Sequence, residues 1–524
     1  MTVPRRLLAC SDDQPLFDDA TTRRIERRAA AALPPHALMA RAGVALLRLA
    51  RAVAPRARKA WIAAGPGNNG GDGLVLATWL HRAGVDVSVT LVGHRADRAP
   101  PPDAAWALDE ARAAGVAIRT DVPDVGELAA VELGVDALLG VGQARAPEGV
   151  LAAAIAALNA LRAPVLSVDA PTGLSTDSGS QLGAAVVRAT HTLALLTAKP
   201  GLFTASGREF AGESWFDDLG VAPAADEAPV ATLTGSQAAA RCLPHRRHLA
   251  NKGSFGDVHV AGGAAGMVGA SLLAAHAASL AGAGRVLVHA HSSDAGGALP
   301  VDVRHPELML RPVAELQPAL RANARATVVA GCGGGDDVIA ELPGCLSNAG
   351  RLVLDADALN AIARDTGLRA HLRMRGLRGW PTILTPHPLE AARLLDTTVA
   401  AVQADRLAAA RRLAADTGAA VVLKGSGTLV AMPDGRVAIN PTGDARLATA
   451  GTGDVLAGWI GGLWSAQPPA SGAAALESTF EVARAAAWIH GRACDFTAGD
   501  RLPLVAGELA ALMARAAQAL ADPA

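Results

Sequence analysis

Two glycine-rich stretches of this 524-residue chain hold residues whose types and spacing could do chemistry. One reads Ala448-Thr449-Ala450-Gly451-Thr452-Gly453-Asp454 and then turns apolar through Val455-Leu456-Ala457-Gly458. Small residues followed by an apolar run read as a loop entering a helix N-terminus, where unpaired backbone N–H groups face an anion. A carboxylate at that point can exchange a proton with the group the anion is attached to. The same residues also suit a glycine-rich turn with Asp454 as helix cap, and this run alone leaves both readings open. The other stretch, Gly65-Pro66-Gly67-Asn68-Asn69-Gly70-Gly71-Asp72-Gly73, follows a short apolar strand and precedes a helix expected over 74–83. Strand, glycine turn and helix suit a phosphate or a polar cofactor. Asn68-Asn69 interrupts the dinucleotide fingerprint, and Asp72 favours proton transfer or a cation over simple phosphate cradling. The competing reading is a surface turn using Asn and Gly for left-handed positions.

Further polar residues sit where strands end. Asp136 lies in Val135-Asp136-Ala137-Leu138-Leu139-Gly140, and Asp169 and Thr172 follow Val165-Leu166-Ser167-Val168. Open α/β sheets place ligands at the carboxyl ends of their strands. Asn69, Asp136 and Thr172 offer oxygen ligands that suit a hard cation. In the second half, five apolar runs end in polar or glycine residues: Gly262-Gly263, Gly331 to Gly335, Asp355 and Asp357, His387 and Glu390, and Lys424 to Thr428. That recurrence marks one edge of a sheet as a site.

The elements that must position these residues alternate. Strands are expected over 85–92, 116–119, 135–142, 164–168 and 190–196, with helices over 104–115 and 152–161 between them. Alternation of this kind predicts a doubly wound parallel sheet. Residues 15–58 carry helical spacing broken at Pro34-Pro35 and Pro55. Residues 221–235 have Pro, Ala and acid without a period and read as a linker. The expected division is therefore a domain over 1–225, a linker over 226–235 and a second domain over 236–524.

Composition narrows the class. With 51% apolar residues the chain can bury sizeable cores. Its 48 Lys and Arg against 49 Asp and Glu give no support for a nucleic-acid or anionic-membrane partner. Five scattered cysteines with no CxxC pair indicate neither a disulfide framework nor a cysteine-rich zinc site, which points to a reducing, cytoplasmic compartment. Leu7-Leu8-Ala9-Cys10 looks like a lipidation box, but only six residues precede it and they include Arg5 and Arg6. The apolar run 269–290 carries His276, Arg285 and His289 and reads as a buried helix followed by a strand, not a membrane span.

On these motifs the chain resembles the bifunctional NAD(P)H-hydrate repair enzymes. The runs Gly65 to Gly73, Val135 to Gly142, Asp169-Ala170-Pro171-Thr172-Gly173-Leu174 and Lys199-Pro200-Gly201 are similar to the epimerase domain of that family, with its Rossmann-like sheet. The runs Asn251 to Gly263, Asp355 to Asn360, Thr385 to Glu390, Lys424 to Thr428 and Ala448 to Leu456 are similar to its ADP-dependent dehydratase domain, a ribokinase-like α/β fold. The resemblance implies that the first domain interconverts the epimers of NADHX and NADPHX, the hydrated cofactors, and that the second dehydrates the S form with ADP as co-substrate. It implies substrate contacts from Asn68, Asn69, Gly70, Gly71 and Asp72, from Gly140, Val141, Gly142, Gln143, Ala144, Arg145, Ala146 and Pro147, and from the acid–base residue Asp169. It implies a potassium ion at Asn69, Asp136 and Thr172. In the second domain it implies Ala270, Gly335, His387 and the base Asp454 around the hydrated ring, and Lys424, Gly425, Ser426, Gly427, Thr428 and Gly453 at the adenylate part of ADP. Mg²⁺ is expected with the nucleotide phosphates, and a homo-oligomer is expected from the family.

The chain departs from the family pattern in places. Ala450-Gly451 stands for Gly-Gly, and a methyl at Ala450 would restrict the turn if that residue needed a positive φ. Gly331-Cys332-Gly333-Gly334-Gly335 stands for Gly-Pro-Gly-Leu-Gly, Thr172 stands for Ser, and Leu504-Val505-Ala506-Gly507 replaces an acidic motif. Two other readings compete. A ribokinase-type small-molecule kinase would explain the second half but not the first, and a non-enzymatic binding module would leave Asp72, Asp136 and Asp169 without a purpose.

Overall fold

The computed structural model describes residues 3–8, 10–94, 97, 99–291, 301–497 and 502–521. The chain forms two compact units, one made of the residues up to Cys10 with Gln14–Thr232, the other of Ser11–Asp13 with Leu233–Ala524. Asp13 is held in the second unit by Arg484, whose Nη1 donates to its Oδ2 at 2.5 Å, and by the Gly235 N–H at 2.8 Å. The segment expected as a linker contains the short strand Ala231–Leu233.

The first unit is an eight-stranded sheet. From the strand Lys59–Ala64 the chain moves outward through Asp86–Leu91 to Ala117–Arg119. It then returns to the other side of Lys59–Ala64 and continues through Leu133–Ala137, Val165–Val168, His191–Leu195 and Glu213–Asp217. These seven strands run parallel, and only Arg5–Arg6 at the edge is antiparallel. Both faces are covered. In Lys59–Ala64, Ala60, Ile62 and Ala64 join one apolar cluster while Trp61 and Ala63 join another, as a strand of period two must when buried on both sides. The order reverses between Lys59–Ala64 and Leu133–Ala137, and that switch point opens a crevice at the strand ends.

The helix after Lys59–Ala64 begins at Asn68 rather than at 74, so the polar run expected as a turn is its first turns. Close packing explains the glycines there. A Cβ on Gly70 would lie 1.9 Å from the Gly65 carbonyl oxygen, and one on Gly73 would lie 2.4 Å from the Ala137 methyl. A helix before the sheet is split at Pro34-Pro35 into Asp19–Ala32 and Ala37–Val53, the first capped by the Asp18 side chain on the Thr21 N–H.

The second unit repeats the scheme. The strand Asp257–Gly262 is flanked on one side by Arg285–Ala290 and Met309–Arg311, and on the other by Thr327–Ala330, Arg351–Leu354, Thr382–Leu384 and Ala420–Leu423, all parallel. Leu429–Ala431 and Val437–Ile439 extend it antiparallel. The helices Val268–Ala281 and Thr452–Ser465 cross in backbone contact. Cβ atoms on Gly458 and Gly462 would lie 2.0 and 2.1 Å from the carbonyl oxygens of Ala274 and Ala278, so two i,i+4 pairs of small residues set the approach. No single helix among the described residues is long and apolar enough to cross a membrane.

Candidate active sites

In the first unit, Asp169 follows the strand Val165–Val168 with φ of 67°, a left-handed backbone that costs energy for a residue with a Cβ. The turn brings its carboxyl to two donors, both on Oδ1: the Leu195 N–H at 3.1 Å and the ammonium of Lys199. Lys199 is fully buried, and its Nζ also donates to the Leu195 carbonyl at 2.8 Å. Asp169 and Lys199 line a cavity of about 1460 Å³ together with Asp72 and Glu26. Burial pushes Asp72 well above the usual carboxylate range, and the charges of Asp169 and Glu26 add to that. Glu26, on the helix Asp19–Ala32, is pushed up by burial and then by Asp169, against a hydrogen bond to Asn68. One carboxylate tied to an ammonium beside carboxyls whose pKa values burial raises is an arrangement able to give and take protons.

Asn68, Asn69, Asp72 and every residue from Gly140 to Pro147 line this cavity, whereas Gly70 and Gly71 face the protein. Gln143 fixes the 140–147 loop, donating to the Leu139 carbonyl at 3.2 Å and accepting from the Gly173 N–H at 2.7 Å. Asp136, fully buried, accepts four hydrogen bonds: Thr172 Oγ1 at 2.7 Å, the Thr172 N–H at 2.9 Å, Ser167 Oγ at 2.9 Å and the Leu138 N–H at 3.2 Å. Burial raises its pKa and those bonds oppose the rise. Asn69 stands on the cavity wall, its buried Nδ2 without a hydrogen-bond partner.

In the second unit, Asp454 lies in the first turn of Thr452–Ser465, behind Gly451 with φ of 90°. The positive φ falls on Gly451 and not on Ala450, so the methyl of Ala450 is harmless. Ligand atoms of Asp454, Asp355 and Cys332 lie within 4.8 Å of one another. Burial, followed by the charge of Asp355, pushes Asp454 up to about 6, while a hydrogen bond with Cys332 and the charge of Lys424 pull it down. Lys424 donates to Asp355 Oδ1 at 2.6 Å, and Thr385 Oγ1 donates to the same oxygen at 2.7 Å. Burial works against the Lys424 charge, yet Asp355 and Glu390 outweigh it and its pKa is raised. A Cβ on Gly453 would sit 3.2 Å from the Lys424 ammonium. Lys424, expected with the adenylate-binding loop, thus stands at the helix N-terminus among the carboxylates.

The rest of that loop is anchored elsewhere. Arg406 donates to the carbonyls of Leu423 and Lys424 at 3.2 Å each, and Thr428 Oγ1 donates to the Gly425 carbonyl at 3.1 Å. His387 caps the helix Pro388–Leu394 through Nδ1, and its N–H donates to Glu390 at 2.7 Å. Burial and then Lys424 lower the His387 pKa, and burial pushes Glu390 up to about 7. The Gly335 N–H donates to Asp357 at 2.9 Å, and Ala270 packs against the neighbouring Gly333. Among the described residues, no hydrogen bond or ion pair joins His387 to Asp454. Cys332, Asp355 and Asp454 do not make a Mg²⁺ cage. Burial holds the thiol protonated, Asp355 already carries Lys424, and Mg²⁺ takes oxygens.

Several of these residues escape sequence reasoning. Glu26 lies in a helix far along the chain from the loop motifs, and nothing in its spacing marks it. Lys199 was legible as part of a motif but not as the partner of Asp169. Asp355 was visible at a strand end, and only the fold shows it between Lys424 and Asp454.

The two units define a two-site α/β enzyme, Rossmann-like in its first half and ribokinase-like in its second. A family model described as YjeF-related protein N-terminus matches residues 35–201, and one described as NAD(P)H-hydrate dehydratase matches residues 258–514. The chain is 35% identical over 482 residues to the bifunctional NAD(P)H-hydrate repair enzyme Nnr of Escherichia coli K12, covering 91% of this chain and 88% of that one. It is 36% identical over 473 residues to the bifunctional NAD(P)H-hydrate repair enzyme of Leishmania major, covering 84% and 82%. Its second half is similar to the ADP-dependent (S)-NAD(P)H-hydrate dehydratase of Neisseria meningitidis serogroup B, 44% identical over 278 residues, covering 51% of this chain and 88% of that one. The chain belongs to the family of bifunctional NAD(P)H-hydrate repair enzymes.

Proposed function

We propose that this protein restores hydrated NADH and NADPH, the first unit equilibrating the two epimers at C6 of the nicotinamide ring and the second removing water from the S form with ADP. The observation that supports this best is the pairing, in one chain, of the cavity built on Asp169 and Lys199 with the helix terminus that carries Asp454. C6 bears the hydroxyl and adjoins the ring nitrogen. Proton donation to that hydroxyl lets the nitrogen lone pair expel water and leaves C6 planar. Water then returns to either face and loses a proton. Asp169 exchanges the proton through its Oδ2, because both protein donors occupy Oδ1. Asp72, whose pKa burial raises, is a second acid on the same cavity.

In the second unit the C6 hydroxyl oxygen attacks the β-phosphorus of ADP, its proton passes to Asp454, and AMP leaves. The phosphate ester at C6 then breaks at the C–O bond, C5 loses a proton, and the ring double bond is restored with release of phosphate. Backbone N–H groups from Gly451 to Gly453 and the Lys424 ammonium stabilise the charge that shifts among the phosphoryl oxygens. Gly335, Ala270 and His387 border the ring, and Gly425, Ser426, Gly427 and Thr428 receive the adenylate.

Asp136, Thr172 and Asn69 fit a potassium ion: the donors are a buried carboxylate, a hydroxyl and an amide whose orientation is unfixed by any hydrogen bond. Bound there, the ion would supply positive charge against the buried carboxylate of Asp136.

The test is incubation of the whole chain with a mixture of both epimers of hydrated NADH and with ADP. Complete conversion to NADH is expected, with one AMP and one phosphate per NADH. No conversion of either epimer overturns the reading.

A further inference from the structure

Four arginines lie on the helix Asp19–Ala32, at positions 23, 24, 27 and 28, and form two i,i+4 stripes. The stripe of Arg24 and Arg28 is occupied. Arg24 donates to Thr21 Oγ1 at 2.9 Å, and Arg28 holds Glu227 at 2.9 Å and the Ala222 carbonyl at 2.8 Å. The neighbouring stripe of Arg23 and Arg27 lines the cavity that holds Asp169. Neither Arg23 nor Arg27 is within ion-pair distance of a carboxylate among the described residues; Arg27 Nε donates to the Arg23 carbonyl at 3.2 Å.

This stripe is fixed against the loop 140–147. One turn before Arg23, Asp19 accepts the Gly142 N–H at 2.6 Å and the Thr176 hydroxyl at 2.5 Å, and its own N–H donates to Asp177 at 2.8 Å. The Arg23 guanidinium lies over Gly142, where a Cβ would fall 1.6 Å from Nη2. Gly142 has φ of 87°, a left-handed backbone that favours glycine beneath the arginine. Arg145 of the same loop lines the cavity as a third guanidinium. Glu26, beside the Arg23–Arg27 stripe on the side away from Arg24 and Arg28, feels the charges of Asp169 and Lys199, so one helix borders both the reacting carboxylate and the arginines.

We propose that Arg23 and Arg27 are the phosphate-binding residues of the first unit, holding the anionic part of the dinucleotide while its nicotinamide end reaches Asp169. The inference rests on the epimerase reading above. A guanidinium offers paired donors that match phosphate oxygens, and two arginines one turn apart can bridge two phosphoryl groups. The phosphates concerned are the pyrophosphate, present in both substrates, or the 2′-phosphate, present only in hydrated NADPH.

The test measures epimerisation of a purified epimer by the full chain without ADP, as saturation curves for hydrated NADH and hydrated NADPH. Arg23→Gln and Arg27→Gln are expected to raise KM about tenfold each with kcat nearly unchanged, as loss of a charge-assisted hydrogen bond would. Arg23→Lys and Arg27→Lys, which keep the charge, are expected to recover part of the loss. Arg24→Gln, on the same helix, is the control and leaves KM in place. A rise for both substrates assigns the pyrophosphate, and a rise for hydrated NADPH alone assigns the 2′-phosphate. KM within twofold of the parent protein, or a fall in kcat at constant KM, overturns the proposal. Failure of the parent protein to epimerise overturns the epimerase reading instead.

Discussion

The ammonium of Lys199 and the amide of Leu195 meet on one oxygen of Asp169, whose own backbone is turned left-handed to present the carboxyl there. Asp169→Asn keeps the shape and removes the proton acceptor. Epimerisation by this variant should fall by a factor of about a hundred or more, while ADP-dependent dehydration of the S epimer continues. Separate assays on purified R and S forms check this, and a parallel loss of both activities would contradict the division of labour between the units.

Asp454 is pushed up to about 6, and a general base works only when ionised. Dehydration should therefore be full well above that pH and decline as pH falls through about 6, as the carboxylate takes up a proton. Glu390, at about 7, titrates nearby. Glu390→Gln should leave the acid limb in place if Asp454 sets it. Asp454→Asn should abolish dehydration and retain ADP affinity, measured by calorimetric titration.

The Cys332 side chain is hydrogen-bonded to Asp454 and lowers its pKa. Cys332→Ala removes that hydrogen bond, so the acid limb of kcat/KM should move to higher pH. Cys332→Ser supplies a hydroxyl in its place and should hold the limb near the parent position. Identical profiles for all three proteins would show that the thiol has no part in tuning the base.

Gly458 lets the helix Thr452–Ser465 touch the backbone of Val268–Ala281, with Ala274 O only 2.0 Å from where a Cβ would sit. Gly458→Ala forces the helices apart, and overpacking of this kind costs about 1–3 kcal/mol. Thermal unfolding of the second unit should shift downward, and dehydration should weaken more than epimerisation because the displaced helix carries Asp454.

Much of this architecture was readable from residue order. Apolar runs ending in Gly, Asp or Thr gave the parallel strands and the edge where both sites lie, since a buried parallel strand must be apolar along its length and a ligand can only meet its end. Position 68 was harder. Asn-Asn-Gly-Gly-Asp has poor helix propensity, and it is helical because glycines allow the turn to press against Gly65 and Ala137. The partners of the reacting carboxylates were hidden for a different reason. Lys199, Glu26 and Lys424 reach Asp169, Asp72 and Asp355 across long stretches of chain, and no local pattern encodes such meetings.

The short segment 11–13 belongs with the residues from 233 onward, so residues 14–232 of the first unit are threaded between two pieces of the second. A gene cut near 233 to yield a free-standing dehydratase would therefore lose more than a neighbour. It would strip Arg484, only 6% exposed, of one of its two carboxylate partners and leave the Gly235 amide without its acceptor. An excised version would need that tripeptide grafted back, or a neutral residue in place of the arginine, to stand alone.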